Sequence, residues 1–235
     1  MREPVPGPAA LDVGIVLILQ EAFRAGAAVP DLVPGGISVP GAMRPDRPAL
    51  DVAELAQSMG LSAVYIPSMR NGSSTSVGER EDRGSAILSS EPLSDITAIE
   101  LPFGKQRRVA VMATVTPAGK AGPPLQVIAA HLDSFVGTRG QAEALAGYID
   151  ELKESGAPVV LGIDTNAIRG RADRAVRTLE KSLPIEDCGT GRTGPWLARL
   201  DFIFSNLPES SGKTCETLAD RYGSDHVPIV LTIDY

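Results

Sequence analysis

Residues 157–166 read APVVLGIDTN, an apolar run that ends in Asp164, Thr165 and Asn166. The run has the length of a β-strand and is rich in β-branched residues, and its polar end is typical of the start of a turn. We interpret it as a buried strand with a polar tip.

Three further apolar runs carry acidic, amide or histidine residues at one end. They are IVLIL (15–19) before Gln20-Glu21, LQVIAA (125–130) before His131-Leu132-Asp133, and VPIVLTI (227–233) after Ser224-Asp225-His226. If the last strand is antiparallel to the others, all four polar ends fall at one edge. Aspartate and asparagine often end strands for structural reasons alone. Four such ends, which include both histidines of the chain, instead favour a functional site.

The remaining pattern predicts one α+β domain over residues 1–235. Helices are predicted at 51–59, 138–154 and 172–183, among many short strands that do not alternate as strict βαβ units. Residues 1–10 are predicted to be an irregular lead-in, and residues 29–48, rich in proline and glycine, a long loop.

The charge balance argues against a general nucleic-acid binder. The chain has 29 acidic and 22 basic residues, a formal net charge of −7, whereas such binders usually carry a basic excess. The densest basic stretch, KQRR at 105–108, is interpreted as a solvated turn or strand end. Cys188 and Cys215 are expected to be free buried thiols in a reducing compartment, with a disulfide as the alternative.

The polar set suits hydrolysis of a phosphate ester. Hard oxygen ligands such as Glu21 and Asp225 suit Mg²⁺ or Mn²⁺. A carboxylate or an imidazole can activate water beside such an ion. Asp201, at the start of LDFIF, is a candidate partner that orients His226.

Six pieces of sequence, in order, resemble the endonuclease/exonuclease/phosphatase superfamily. They are LQE (19–21), GSAILS (84–89), His131-Leu132, the D-x-N of Asp164-Thr165-Asn166, LDFIF from Leu200, and SDH (224–226). The resemblance implies a four-layer α/β/β/α sandwich of two packed mixed sheets flanked by helices, as in pancreatic-type deoxyribonucleases. It also implies a site at the open edge of the two sheets.

The same resemblance implies a role for each residue. Glu21 and Asp225 correspond to metal ligands, and Asp164 to the group that orients or deprotonates water. Asn166 corresponds to a residue that holds a phosphate oxygen. His226, oriented by Asp201, corresponds to a base or transition-state stabiliser, and His131 to a second histidine that contacts the phosphate.

Arg139 has two interpretations. It follows the His131 tip, where relatives often carry an arginine, so it could be a substrate-binding cation aimed at phosphate. The alternative is an ordinary surface charge at the start of a helix, and the sequence does not separate the two.

One departure from the family pattern concerns the start of the chain. Relatives begin with a strand that ends in an asparagine, but the first asparagine here is Asn71. We therefore expect the family's first strand to be lacking, through truncation or a displaced start. The alternative function is a catalytically impaired member that binds a phosphate ligand or a protein without turnover.

The predicted activity is that of a Mg²⁺- or Mn²⁺-dependent phosphodiesterase, phosphatase or nuclease. Its substrate is expected to be a phosphate ester on a small molecule, a lipid head group or a nucleic acid, with the acidic composition mildly against duplex DNA. No apolar run reaches the roughly 20 residues of a membrane span, and a monomer is expected. The location is predicted as cytoplasmic, with secretion left open by a truncated start.

Overall fold

The computed structural model describes the chain in segments that carry nearly all of the predicted elements. These are residues 13–25, 51–71, 81–117, 122–134, 136–189, 191–194 and 198–234. The predicted lead-in at 1–10 and the whole of the predicted loop at 29–48 lie outside the described residues. The expectation of a missing first strand falls on the same lead-in and stays a prediction.

The described elements match the predicted mixture of short strands and three helices. In chain order they are β1 (Val16–Ala25), α1 (Val52–Met59), β2 (Ser62–Asn71), β3 (Glu81–Ser89), β4 (Leu93–Glu100), β5 (Val109–Val115), β6 (Leu125–His131), α2 (Thr138–Glu154), β7 (Val159–Asp164), α3 (Arg174–Ser182), β8 (Asp201–Ser205), β9 (Thr214–Thr217) and β10 (Ile229–Thr232). Helix α2 has the predicted bounds. Helix α1 begins where expected, because the Asp51 side chain accepts a hydrogen bond from Ala53 N (2.8 Å) and so caps it.

The larger sheet has the order β4-β5-β6-β7-β8. Strands β6 and β7 are parallel, and the other neighbours are antiparallel. A parallel pair needs a crossover connection, which α2 supplies between β6 and β7. The carboxyl ends of β6 and β7 therefore lie at the same edge, together with the first residues of β5 and β8.

The smaller sheet has the order β1-β3-β2 and packs face to face on the larger one. Its inward side chains, such as Val64 and Ile87, share a core with Val111 and Val127 of the larger sheet. The sheets approach closely at Gly162, where a Cβ would lie 2.8 Å from Ile18 Cγ2. The sandwich leaves no room for a side chain at that position.

Helices cover the outer faces of both sheets. Leu145 and Ile149 of α2, together with Leu179 of α3, are fully buried against the larger sheet, and each such burial stabilises the fold by about 1.5–3 kcal/mol. Helix α1 packs through Val52 and Ala56 on the smaller sheet. The order of layers is helix, sheet, sheet, helix, which is the predicted α+β four-layer sandwich. In the described part of the chain, no helix is long and apolar enough to cross a membrane.

A hairpin that the sequence did not predict brings the two cysteines together. Strands β9 and β10 pair antiparallel, and Thr217 Oγ1 donates a hydrogen bond to Cys188 O (2.9 Å). Cys188 and Cys215 form a disulfide, with their Cα atoms 4.4 Å apart. The expectation of free thiols is wrong, because β9 brings Cys215 to the loop that carries Cys188.

Candidate active site

Neighbouring strand ends bring polar residues together at one edge of the larger sheet. In the parallel pair β6 and β7, His131 is in register with Asp164. Strand β8 runs antiparallel to β7, and its first residue, Asp201, pairs with Asp164 from the other side. His226 precedes β10, and its side chain reaches Asp201. Four of the predicted site residues therefore meet around the ends of three adjacent strands.

His131 is buried between a cation and an amide. Its Nδ1 lies 3.2 Å from Arg108 Nη1, and its Nε2 lies 2.8 Å from Asn166 Nδ2 and 3.4 Å from Asp164 Oδ2. The two ring nitrogens each face a donor, the Arg108 guanidinium at Nδ1 and the Asn166 amide nitrogen at Nε2, and Nε2 also faces an acceptor, Asp164 Oδ2. Because the guanidinium is charged and can only donate, we assign Nδ1 as an acceptor and place the ring proton on Nε2, where Asp164 accepts it and the contact to Asn166 is not a hydrogen bond. Burial, followed by the charges of Arg108 and His226, lowers the pKa of His131 well below its ordinary value. The neutral ring thus directs an N–H toward Asp164.

Asn166 is held in a strained backbone conformation beside this ring. Its φ is +50°, in the left-handed region that asparagine tolerates better than most residues. Its N–H donates to Asp164 Oδ1 (2.8 Å), and its Nδ2 donates to Leu132 O (2.9 Å). Such strain costs about 1–3 kcal/mol and is often found at functional sites. The turn after β7 thereby fixes an amide group next to His131.

Asp164 is a buried carboxyl group that is poised to exchange a proton near neutral pH. Burial and, next, the charge of Asp201 raise its pKa to about 7, against the Asn166 N–H bond and the charge of His226. A group whose pKa lies near the working pH is the most effective general base or acid. Asp164 is therefore the described carboxyl best suited to take a proton from water.

His226 and Asp201 form a charge-assisted pair. His226 Nδ1 lies 2.7 Å from Asp201 Oδ2. This hydrogen bond raises the pKa of His226 to about 9, against burial and with help from the charges of Asp201, Asp164 and Asp225. At neutral pH the ring is an imidazolium hydrogen-bonded to Asp201, the residue that the sequence offered as its partner.

Glu21 projects from a β-bulge in β1. Between Leu19 and Ala22 the strand advances by three residues while its partner β3 advances by two. Glu21 adopts a φ of +50° there, and bulges of this kind re-aim side chains near active sites. Its carboxylate is half exposed and lies 3.8 Å from Arg83. Its charge contributes to the raised pKa of Asp164, so Glu21 borders the site.

The other two predicted residues lie at the surface. Asp225 is exposed beside His226, and its charge helps to raise the pKa of that ring. Arg139 lies in the first turn of α2, with its Nε 2.7 Å from Glu143 and its side chain 64% exposed. This i,i+4 pair on a solvated helix face favours the surface-charge interpretation of Arg139.

Sequence reasoning missed Arg108, which ends the β4–β5 loop (residues 101–108). It is 3% exposed, so the interpretation of residues 105–108 as a solvated turn or strand end is wrong for Arg108. Its Nε is buried and has no hydrogen-bond partner among the described residues. Burial lowers its pKa, while Glu21, Asp133 and Asp164 act in the opposite direction. The available signal was its position: β5 is antiparallel to β6, so a charge at the start of β5 must lie beside His131.

Three of these side chains could also hold a metal ion. Ligand atoms of Asp164, Asp201 and His226 lie within 4.8 Å of one another. Two carboxylates and an imidazole form a donor set for a divalent cation, and the oxygen content suits Mg²⁺ or Mn²⁺. Glu21 and Asp225, the predicted ligands, lie outside this group but border it.

Comparisons with known proteins concern the family and the fold. The model of the Endonuclease/Exonuclease/phosphatase family matches residues 7–226. No curated protein matches the chain in sequence. Among solved structures, an endonuclease/exonuclease/phosphatase from Beutenbergia cavernae is similar at 19% identity and a TM-score of 0.63, over 93% of this chain and 62% of that one.

Two other solved structures give the same likeness. A family protein from Leptotrichia buccalis has 14% identity and a TM-score of 0.63, over 94% of this chain and 87% of that one. A mannosyl-6-phosphatase from Bacteroides thetaiotaomicron has 13% identity and a TM-score of 0.59, over 78% and 81%. At these identities the likeness concerns the fold alone. Because the family model spans nearly the whole sequence, the chain belongs to the endonuclease/exonuclease/phosphatase family.

Proposed function

We propose that the chain is a metal-dependent hydrolase of phosphate esters. Members of its family are phosphoesterases or nucleases and generally depend on a divalent metal. The observation that carries the proposal is the meeting of Asp164, the Asp201–His226 pair and a neutral His131 at one sheet edge. A protein that only binds its ligand would not need a carboxyl group with a pKa near neutral pH beside an imidazolium.

In the proposed reaction Asp164 takes a proton from the attacking water. Its pKa of about 7 makes it an effective base at neutral pH. His226, an imidazolium held by Asp201, places a positive charge where negative charge develops on the phosphoryl group. Proton donation from its free ring nitrogen to the leaving oxygen is the alternative use of the same geometry.

The phosphate would be bound by donors on the opposite side of Asp164. Asn166 contributes its side-chain amide, and His131 contributes the N–H at Nε2. Behind them the buried Arg108 supplies a positive charge that water does not screen well. We therefore assign the cationic role to Arg108 in preference to Arg139, whose guanidinium pairs with Glu143 on the helix surface.

The residues present fit a hard divalent cation. We propose that Glu21 and Asp225 bind Mg²⁺ or Mn²⁺, because both carboxylates are exposed at the border of the site. The Asp164, Asp201 and His226 group is the alternative ligand set, but there the hydrogen bond to Asp201 already occupies Nδ1 of His226. A bound cation would neutralise charge on the phosphoryl oxygens and favour ionised water.

The test is hydrolysis of bis-(p-nitrophenyl) phosphate and of plasmid DNA with Mg²⁺ or Mn²⁺. We expect metal-dependent turnover that His226→Ala lowers by about 10²–10⁴-fold, the usual contribution of a general acid or base. Arg139→Ala separates the two interpretations of that residue, since a surface charge leaves KM unchanged. Circular dichroism and the melting temperature of each variant serve as folding controls.

Two results would contradict the proposal. Turnover that His226→Ala lowers by less than about tenfold would contradict the role assigned to His226. A folded native chain that binds phosphate saturably but does not hydrolyse either substrate with excess metal would instead favour the catalytically impaired alternative. Comparison of the two substrates also separates a nuclease from an enzyme for smaller esters, which the net charge of −7 favours.

Location and oligomeric state stay predictions. The sequence predicts a cytoplasmic location. The Cys188–Cys215 disulfide argues for an oxidising compartment instead, because disulfides are typical of such compartments. Free-thiol counting on protein taken directly from its source would decide between them. Light scattering tests the predicted monomer.

A further inference from the structure

Asp133 is a fully buried carboxylate two residues beyond His131. Its Oδ2 accepts hydrogen bonds from the backbone N–H groups of Lys105 and Gln106, the second at 2.8 Å, and its Oδ1 accepts from Ser134 N (2.7 Å). These donors replace the water that a carboxylate loses on burial. With both oxygens engaged, Asp133 holds the β4–β5 loop in place.

A second set of contacts ties the same loop to Asp133. A Cβ on Gly104 would lie 2.5 Å from Asp133 Oδ2 and 2.6 Å from Val136 O, so the loop lies directly on these atoms. Gln141 accepts a hydrogen bond from Asp133 N (2.7 Å) and donates one to Pro102 O (2.9 Å). The loop is therefore fixed at its start by Gln141 and at its turn by Asp133.

The end of the loop carries the contact to the site. Gln106, whose N–H binds Asp133, accepts a hydrogen bond from Arg108 Nη2 at its side-chain Oε1 (2.9 Å). Arg108 Nη1 then lies 3.2 Å from His131 Nδ1. Because His131 and Asp133 are two residues apart, these contacts close a ring. The direction of the guanidinium depends on Gln106, and the place of Gln106 depends on Asp133.

We propose that Asp133 is a positioning residue that, through Gln106, holds Arg108 against His131 and so keeps the His131 proton on Nε2, toward Asp164. The catalytic consequence rests on the proposed function, in which the Nε2 proton is offered to the phosphate. Loss of the anchor would let the guanidinium turn away, and His131 would then sample both tautomers.

The test reads the His131 tautomer from imidazole ¹⁵N shifts in the metal-free protein. We expect the Nε2-protonated form alone in the native chain, and a mixture of tautomers in Asp133→Asn and in Gln106→Ala. The matched control is Asp51→Asn. Asp51 also accepts hydrogen bonds from two backbone N–H groups, of Ala25 and Ala53, but at helix α1. It should leave the tautomer native.

The second readout is turnover with Mg²⁺ or Mn²⁺. We expect kcat to fall by about 10–100-fold in Asp133→Asn and Gln106→Ala, as for other residues that orient a functional group, and to change little in Asp51→Asn. A native tautomer in both site variants overturns the proposal, and if Asp133→Asn does not fold, Gln106→Ala decides alone. The shift measurement needs no turnover, so an inactive native chain would refute the proposed function without deciding the role of Asp133.

Discussion

Replacement of Asp201 by asparagine should change the charge state of His226 while it preserves the shape of the pair. The carboxylate lies 2.7 Å from His226 Nδ1 and is the main cause of a pKa near 9. The gap between this pKa and the ordinary value of 6.5 corresponds to about 3 kcal/mol of interaction in favour of the imidazolium. An amide keeps a hydrogen-bond acceptor but loses the charge, so we expect the pKa of His226 to fall by roughly two units.

The same pair predicts how stability depends on pH. The folded state raises the pKa of His226, so its contribution is complete below pH 6.5 and is lost as the pH rises through about 9. Through His226, Asp201→Asn should therefore lower the free energy of unfolding by up to about 3 kcal/mol at pH 6, and by almost nothing at pH 10. Removal of the Asp201 charge also lowers the pKa of Asp164, which stabilises the variant increasingly from about pH 4 to pH 7 and fully above it. This gain offsets part of the loss at pH 6 and makes the net loss smaller still at high pH.

The assay is a proton NMR titration of the imidazole ring protons in the metal-free protein. The chain has two histidines, and buried His131 should stay neutral through the range, so one ring alone should titrate. Asp225→Asn is the matched control, since it removes a neighbouring charge that does not bond to the ring. The reasoning would be refuted if His226 of the native chain titrated near pH 6.5. It would also be refuted if the pKa of His226 fell equally in Asp201→Asn and Asp225→Asn.

Further predictions concern the metal, the packing of the sheets and the disulfide. Glu21→Gln should raise the Mg²⁺ concentration for half-maximal activity by about tenfold or more while the melting temperature holds, because the side chain is half exposed. Gly162→Ala should lower the free energy of unfolding by about 1–3 kcal/mol, since its Cβ would enter the facing sheet. Gly147→Ala, in open space on α2, should raise it by about 0.5–1 kcal/mol. Urea denaturation of the two variants measures both changes. Reduction of the Cys188–Cys215 disulfide should cost about 2–4 kcal/mol in the same assay, and an unchanged midpoint would contradict it.

Elements with strong periodicity were predictable from sequence. Helix α2 has its predicted bounds, because apolar residues recur at helical spacing along one face from Ala142 to Leu152. The apolar run of β7 was equally clear. Strand β9 was not predicted, since TCET is short and half exposed and forms only because β10 pairs with it. The cysteine pairing depends on that hairpin and could not be read from a spacing of 27 residues.

Some residues of the candidate site were predictable from the sequence and others were not. The strand-end residues His131 and Asp164 were predictable, because a polar side chain after an apolar run has a definite place at the sheet edge. The burial of Arg108 and the engagement of Asp133 depend on how the β4–β5 loop lies on the loop after β6. Those contacts join segments about 25 residues apart, and no local pattern in the chain encodes them.

The bulge in β1 makes one short stretch tolerant of one kind of change and sensitive to another. Gln20 and Glu21 together oppose a single residue of β3, so their side chains can vary without disturbing the ladder. A deletion of either residue would leave Ala22–Ala25 opposite the same residues of β3, but it would remove the bulge that re-aims the Glu21 side chain toward the site. Related chains that keep the proposed metal ligand Glu21 should therefore also keep two residues between Leu19 and Ala22, and substitutions in this stretch should fall at position 20.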